Sequence, residues 1–176
     1  MNFIIIGMNS VGKSKVGKLL STKLNKIYFD EDDFFESQYG LIHELRKTLS
    51  NEDYQSKFLK IRTFFTNVED IVLSAGGTTG RLDIVKEYNG VIIHLNPSLK
   101  FILKKYKKKK KDFSTENLRR KLVWETEEVI TREYLIQNKL YQKNADITID
   151  SSFLHKEEIV DLILEELKNK NLIKNY

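Results

Sequence analysis

A chain of 176 residues, 40% apolar and 31% charged, is long enough to bury a substantial core and has the balance of a soluble globular protein. It has no cysteine, which excludes disulfides and thiolate metal sites and is compatible with the cytoplasm. The net charge of +5 raises nucleic acid as a partner, but much of the excess lies in one run, Lys107 to Lys111.

With 8 glycines and 1 proline the chain shows no linker, repeat or domain boundary, so residues 1–176 read as one domain. The first strand begins at residue 2 or 3, which leaves no room for a signal peptide. No apolar span reaches the roughly 18 residues of a membrane helix.

Asn2-Phe3-Ile4-Ile5-Ile6 is a short apolar run rich in β-branched residues and predicts a buried strand. Gly7-Met8-Asn9-Ser10-Val11-Gly12-Lys13-Ser14 follows and fits G-x-x-x-x-G-K-[ST], the phosphate-binding loop. Val16, Leu19, Leu20 and Leu24 then fall on one helical face. Strand, glycine loop and helix are the context in which the motif is meaningful. Gly7, Asn9, Ser10, Val11 and Gly12 are expected to wrap a nucleotide phosphate with backbone N–H groups at the helix N-terminus. Lys13 is placed to reach the β- and γ-phosphates, and the Ser14 hydroxyl to ligate Mg²⁺. ATP and Mg²⁺ are therefore the expected ligands.

Ile27-Tyr28-Phe29 is a second strand and runs into Asp30-Glu31-Asp32-Asp33. Carboxylates at the C-terminal end of a parallel strand lie in the crevice where such sheets bind ligands; the competing reading is a solvated acidic turn. Leu41, Ile42, Leu45 and Leu49 suggest a helix after Gly40, and Tyr54 to Val68 keep helical spacing over four turns. Ile71-Val72-Leu73 is the third strand, ending at Ser74-Ala75-Gly76-Gly77-Thr78-Thr79-Gly80.

Val91 to Leu95 is the fourth strand. A helix from about Ser98 grades into the lysine run and breaks at Asp112 to Thr115. Leu118 to Tyr134 is helical, with helix resuming through Leu140 and Tyr141. Ile147-Thr148-Ile149 is the fifth strand, and Ile159, Leu162, Ile163 and Leu167 mark a closing amphipathic helix. Lys168 to Tyr176 is polar and expected to fray. Strands alternating with helices give an α/β fold with a parallel sheet.

The N-terminal phosphate loop, Asp30-x-Asp32 after the second strand, Gly76-Gly77 after the third, and Leu140-Tyr141 followed by Ala145-Asp146 before the fifth resemble the shikimate kinase family, over roughly residues 2 to 165. The resemblance implies a three-layer P-loop kinase fold with a five-stranded parallel sheet and a helical lid over ATP, near residues 107–120. It implies transfer of the γ-phosphoryl group to a ring hydroxyl of shikimate. By position, Asp30 matches the carboxylate near Mg²⁺, and Asp32 the one that binds the acceptor hydroxyls beside the attacking oxygen. Phosphoryl transfer needs an oriented nucleophile, and a carboxylate facing the hydroxyl supplies that. Gly76 and Gly77 match two of three family glycines against the acceptor, and Thr78 stands at the third; an ordinary turn after a strand is the alternative.

The chain also departs from the family. Counting along it, Ser56 and Gln137 stand where the family has the two arginines that hold the substrate carboxylate, and Lys139 replaces a family proline. Planar bidentate pairing is not available to Lys or Gln. Lys57, Arg62 and Arg132 lie nearby but out of register.

In the lid, Lys108 and Lys111, with Arg119 and Arg120 beyond, are candidates for neutralising phosphate. A solvated basic face competes with that reading, and a nucleic-acid patch has only Tyr106 for stacking. His43, His94 and His155 are scattered and predict no zinc site, and Trp124 reads as a packing residue. The expected protein is a monomeric, cytoplasmic small-molecule kinase acting on a hydroxyl acceptor, with neither membrane nor nucleic acid as partner. Kinases of another polyol, sugar or nucleoside, and a nucleotide-binding paralogue without transfer, are the alternatives.

Overall fold

The structure, a computed structural model, describes residues 1–110 and 126–173, with only the backbone of 108–110. Five parallel strands form one sheet: β1 (Asn2–Ile6), β2 (Ile27–Asp30), β3 (Ile71–Ser74), β4 (Gly90–Leu95) and β5 (Ile147–Ile149), in the order β2-β3-β1-β4-β5. β1 is central, pairing Phe3 with Val72 on one side and with Val91 on the other. Every residue of β1 and β3 is buried, because helices cover both faces and a strand there must be apolar throughout. β2 is an edge, and its Ile27 is exposed.

The helices are α1 (Lys13–Leu24), α2 (Glu31–Tyr39), α3 (Ile42–Thr48), α4 (Asn51–Thr66), α5 (Leu99–Lys110), α6 (Glu127–Asn144) and α7 (Lys156–Asn169). Two 3₁₀ turns, Thr79–Arg81 and Asp83–Tyr88, lead from β3 to β4. α1 lies against β1, β2 and β3 and packs on α7, while α6 lies against β4 and the 3₁₀ turns. The result is the parallel α/β fold that the strand–helix alternation predicts, in the three layers that the family resemblance implies.

The sequence reading placed all five strands within one residue of their bounds. α2 is the element that reading lacks, where Asp30 to Asp33 reads as a crevice cluster or an acidic turn. Those residues are both the end of β2 and the start of a helix. The Asp30 carboxylate accepts from the N–H groups of Asp32 and Asp33, and Glu31, Asp32 and Asp33 fill the first turn, where negative charge suits the helix dipole. Phe35 is fully buried there, stacked on Phe58 of α4 at 4.0 Å.

Gly17 is a second omission. A Cβ there would lie 2.6 Å from Tyr28 Cε2 and 2.9 Å from Ser74 Oγ, so its glycine lets α1 sit down on β2 and β3. The tail read as fraying from Lys168 carries α7 to Asn169 and then turns back. Leu172 donates its N–H to Leu167 O, and Leu172 and Ile173 pack on the core.

Candidate active site

The loop between β1 and α1 is held in its curl by backbone requirements. Gly7 has φ 143°, and a Cβ there would sit 2.7 Å from Leu95 O; Gly12 has φ 108° and opens α1. Ser10 also takes a left-handed conformation, φ 67°. Val11 is buried beneath the loop, against Gly7. Lys13 Nζ donates to Gly7 O at 3.0 Å and to Met8 O at 3.2 Å, so its charge lies over the loop. From the far side Lys105 of α5 donates to Ser10 O at 3.3 Å.

Beside the loop the Ser14 hydroxyl donates to Asp30 Oδ2 at 2.6 Å. The Tyr28 hydroxyl lies 3.1 Å from the same oxygen and 3.0 Å from Ser74 Oγ, and burial pushes its phenol well above the usual tyrosine range. A hydroxyl and a carboxylate side by side are hard oxygen donors of the kind Mg²⁺ takes when substrate phosphate and water complete its shell. Among the described residues no group of three or more His, Cys, Asp or Glu could hold a metal by itself.

The segment after β3 closes against these elements. A Cβ on Gly76 would be 2.8 Å from Asp32 Oδ1, and one on Gly77 would be 2.6 Å from Asn9 Oδ1. The two glycines therefore let backbone pass between the Asp32 carboxylate and the phosphate loop. Gly77 O accepts from Tyr141 of α6 at 2.8 Å and from Arg81 Nε at 2.9 Å. Thr78 and Thr79 continue the segment, with the Thr78 hydroxyl 3.5 Å from Arg81 Nη2. Gln137 is buried one turn before Tyr141 on the same face of α6 and donates to Glu133 Oε2 at 2.9 Å.

Sequence reasoning missed the centre that holds this half together. Glu31 is fully buried and accepts from Gly76 N at 2.5 Å, from the Thr79 hydroxyl at 2.8 Å and from the Tyr88 hydroxyl at 3.1 Å. Arg62, itself buried, donates to Thr79 Oγ1 at 3.1 Å. Burial pushes the Glu31 carboxyl up to about 7 and the Asp32 charge adds to this, against the Gly76 and Thr79 hydrogen bonds and the Arg62 charge. A cation and an anion at apolar helical positions were the available signal. Arg62 falls on the same α4 face as Tyr54, Phe58, Ile61 and Phe65.

The positions matched to family arginines hold no cation. Ser56 is exposed on α4 and donates to Asp53 O, and Lys57 lies over the Tyr39 ring at 4.5 Å. Arg132 is exposed, 3.9 Å from Glu133. Of the lid candidates, Lys111 and residues 112–125 lie outside the described residues, as does the Lys108 side chain. His94 of β4 is buried beside Tyr141, its Nδ1 without a hydrogen-bond partner among the described residues, and burial with the Lys13 charge pushes it down to about 4. It is neutral at physiological pH.

A phosphate loop at the end of a central parallel strand, with carboxylates at the end of the neighbouring crossover, defines a P-loop kinase fold. The sequence model of the shikimate kinase family matches residues 9–168. Among similar proteins, the shikimate kinase of Haemophilus influenzae is 26% identical over 97% of this chain and 94% of its own. That of Baumannia cicadellinicola is 31% identical over 84% and 85%. The structure of shikimate kinase from Acinetobacter baumannii in complex with shikimate has the same fold, with TM-score 0.81 and 21% identity over 98% of this chain and 95% of that one. The chain belongs to the shikimate kinase family. No described helix is long and apolar enough to cross a membrane.

Proposed function

We propose that this protein transfers the γ-phosphoryl group of ATP to a ring hydroxyl of shikimate. The observation that carries the reading is the convergence of Ser14–Asp30 and Asp32–Gly76 on the mouth of the phosphate loop. Gly7, Asn9, Ser10, Val11 and Gly12 wrap the ATP phosphates with backbone dipoles, and Lys13 stabilises charge on the transferring group. Ser14 and Asp30 hold Mg²⁺, which when bound neutralises the phosphate oxygens. Asp32 accepts the proton of the acceptor hydroxyl or holds it in line as its oxygen bonds to the γ-phosphorus and ADP departs. Gly76, Gly77 and Thr78 line the acceptor with backbone, and Gln137 borders it from α6. Lys108 and Lys111 are the lid candidates for neutralising the nucleotide phosphates. The protein acts as a monomer in the cytoplasm.

The test is ATP consumption with Mg²⁺ over a panel of hydroxyl acceptors, shikimate first. Turnover of shikimate with a KM below about 1 mM, in the usual enzyme range, supports the reading. Transfer only to a sugar, another polyol or a nucleoside would replace the acceptor. Undetectable binding of ATP by calorimetry would overturn it.

A further inference from the structure

Arg81 is half-buried at the end of the first 3₁₀ turn, and its partners use only part of its capacity. A guanidinium carries five N–H donors in a fixed fork. Nε is spent on Gly77 O at 2.9 Å, and Nη2 lies 3.5 Å from the Thr78 hydroxyl. Among the described residues Arg81 forms no ion pair. A cation half out of water, with no counter-charge among the described residues, is compensated when an anion binds its open edge.

Its place in the fold says where that anion would sit. Gly77 O is shared by Arg81 Nε and the Tyr141 hydroxyl, so the two side chains flank one carbonyl. The preceding residue, Gly76, lies against Asp32 Oδ1. The Tyr141 phenol responds to both charges, with burial raising it, Arg81 opposing and Asp32 adding. Two other cations among the described residues are engaged elsewhere. Arg62 is buried against Thr79, and Lys57 is over Tyr39. At Gln137 the neighbour is the Glu133 carboxylate, which repels an anion.

We infer that Arg81 is the specificity-determining cation of the acceptor pocket, meeting a carboxylate of the acceptor with its open edge while Asp32 faces the hydroxyl. The inference rests on the kinase reading above and adds to it the residue that selects an acid.

The experiment compares shikimate with its neutral carboxamide in the wild type, Arg81→Gln and Arg81→Lys. Arg81→Gln keeps a donor for Gly77 O and removes the charge. The expected result is a wild-type preference for the acid that falls ~10- to 100-fold in Arg81→Gln, the loss of one charge-assisted pair. It should appear in KM for the acid with KM for ATP unchanged, and Arg81→Lys should recover part of it. A purely structural role would lower both acceptors together and would not be rescued by charge. A wild type without preference, or an Arg81→Gln variant that keeps it, overturns the inference and leaves the kinase reading standing. A wild type that phosphorylates neither compound removes both.

Discussion

The two halves of the proposed site are built differently. The nucleotide half is one contiguous segment, Gly7 to Ser14, whose geometry comes from backbone torsions and from its place between β1 and α1. The proposed acceptor half is gathered from three stretches: Glu31 and Asp32, Gly76 to Arg81, and Gln137 to Tyr141. Its spacing is set by a buried polar centre on Glu31 and Arg62 rather than by any local motif. A contiguous site is fixed by local sequence and tolerates little change. A gathered site tolerates replacement of one member if another side chain reaches the same point, the part that the inference above gives to Arg81.

The largest expected effects separate the halves at their centres. Lys13→Ala and Asp32→Asn should each lower kcat/KM by ~10²- to 10⁴-fold, the scale of lost electrostatic or acid–base assistance. Lys13→Ala should also weaken ATP binding by calorimetry, whereas Asp32→Asn should leave it unchanged. If Asp32→Asn weakened ATP as much as Lys13→Ala does, the division would be false.

Gly76→Ala comes next. Its Cβ would press on Asp32 Oδ1 and Glu31 Oε2, at 2.8 and 3.0 Å, in a buried place. Overpacking of that kind costs about 1–3 kcal/mol of stability, and the shift it forces on the Asp32 carboxylate should lower kcat/KM for the acceptor by ~10- to 100-fold. KM for ATP should stay within about twofold in steady-state kinetics. Equal losses for both substrates would mean that the segment serves the nucleotide as well.

This division also explains what could be read from the chain. The phosphate-loop pattern and the strands were legible because each is a local pattern with a local physical cause. α2 was hidden because its N-cap is also the last residue of β2, and four acidic positions in a row mask Phe35 and Tyr39 as helix signals. Glu31 and Arg62 were hidden because burial of a charge depends on a partner distant in sequence, here Gly76, Thr79 and Tyr88. Arg81 stood in plain view after Gly80. Nothing in its spacing distinguishes an arginine that caps a carbonyl in the site from one on the surface.

Glu31 supplies a smaller effect, on stability. Its carboxyl is raised from 4.5 to about 7 by burial in the folded chain. A raised folded value means the folded state holds the proton more tightly. The contribution is present in full below about pH 4.5 and is lost as pH rises through 7. Between pH 5 and 8 the wild type should therefore lose up to about 3 kcal/mol, several degrees in Tm for a chain of this size. Glu31→Gln has no titrating group there, so its melting temperature should vary less over that window, whatever its absolute value. Parallel profiles for the two proteins by calorimetric melting would show that the centre stays ionised throughout and that Arg62 and the donors outweigh burial.

The smallest effect belongs to the lysine run and bears on where the nucleotide half ends. If Lys108 and Lys111 act on ATP, they do so as point charges, without the fixed fork of an arginine. Such contacts are screened within about 8–10 Å at physiological salt. Charge reversal at Lys108 to Lys111 should then raise KM for ATP several-fold at low ionic strength. The effect should shrink as salt is added, while KM for the acceptor stays unchanged. If the run is a solvated face, KM for ATP should remain within about twofold at every salt concentration, and only solubility should respond. Retention of the wild type on duplex DNA or RNA at physiological salt, lost on charge reversal, would instead assign the run to nucleic acid. A salt-dependent change in KM for ATP alone would extend the nucleotide half beyond its contiguous loop into the lid. The site would then have a gathered component on both sides, differing in that the lid acts through charge and the acceptor pocket through fixed hydrogen bonds.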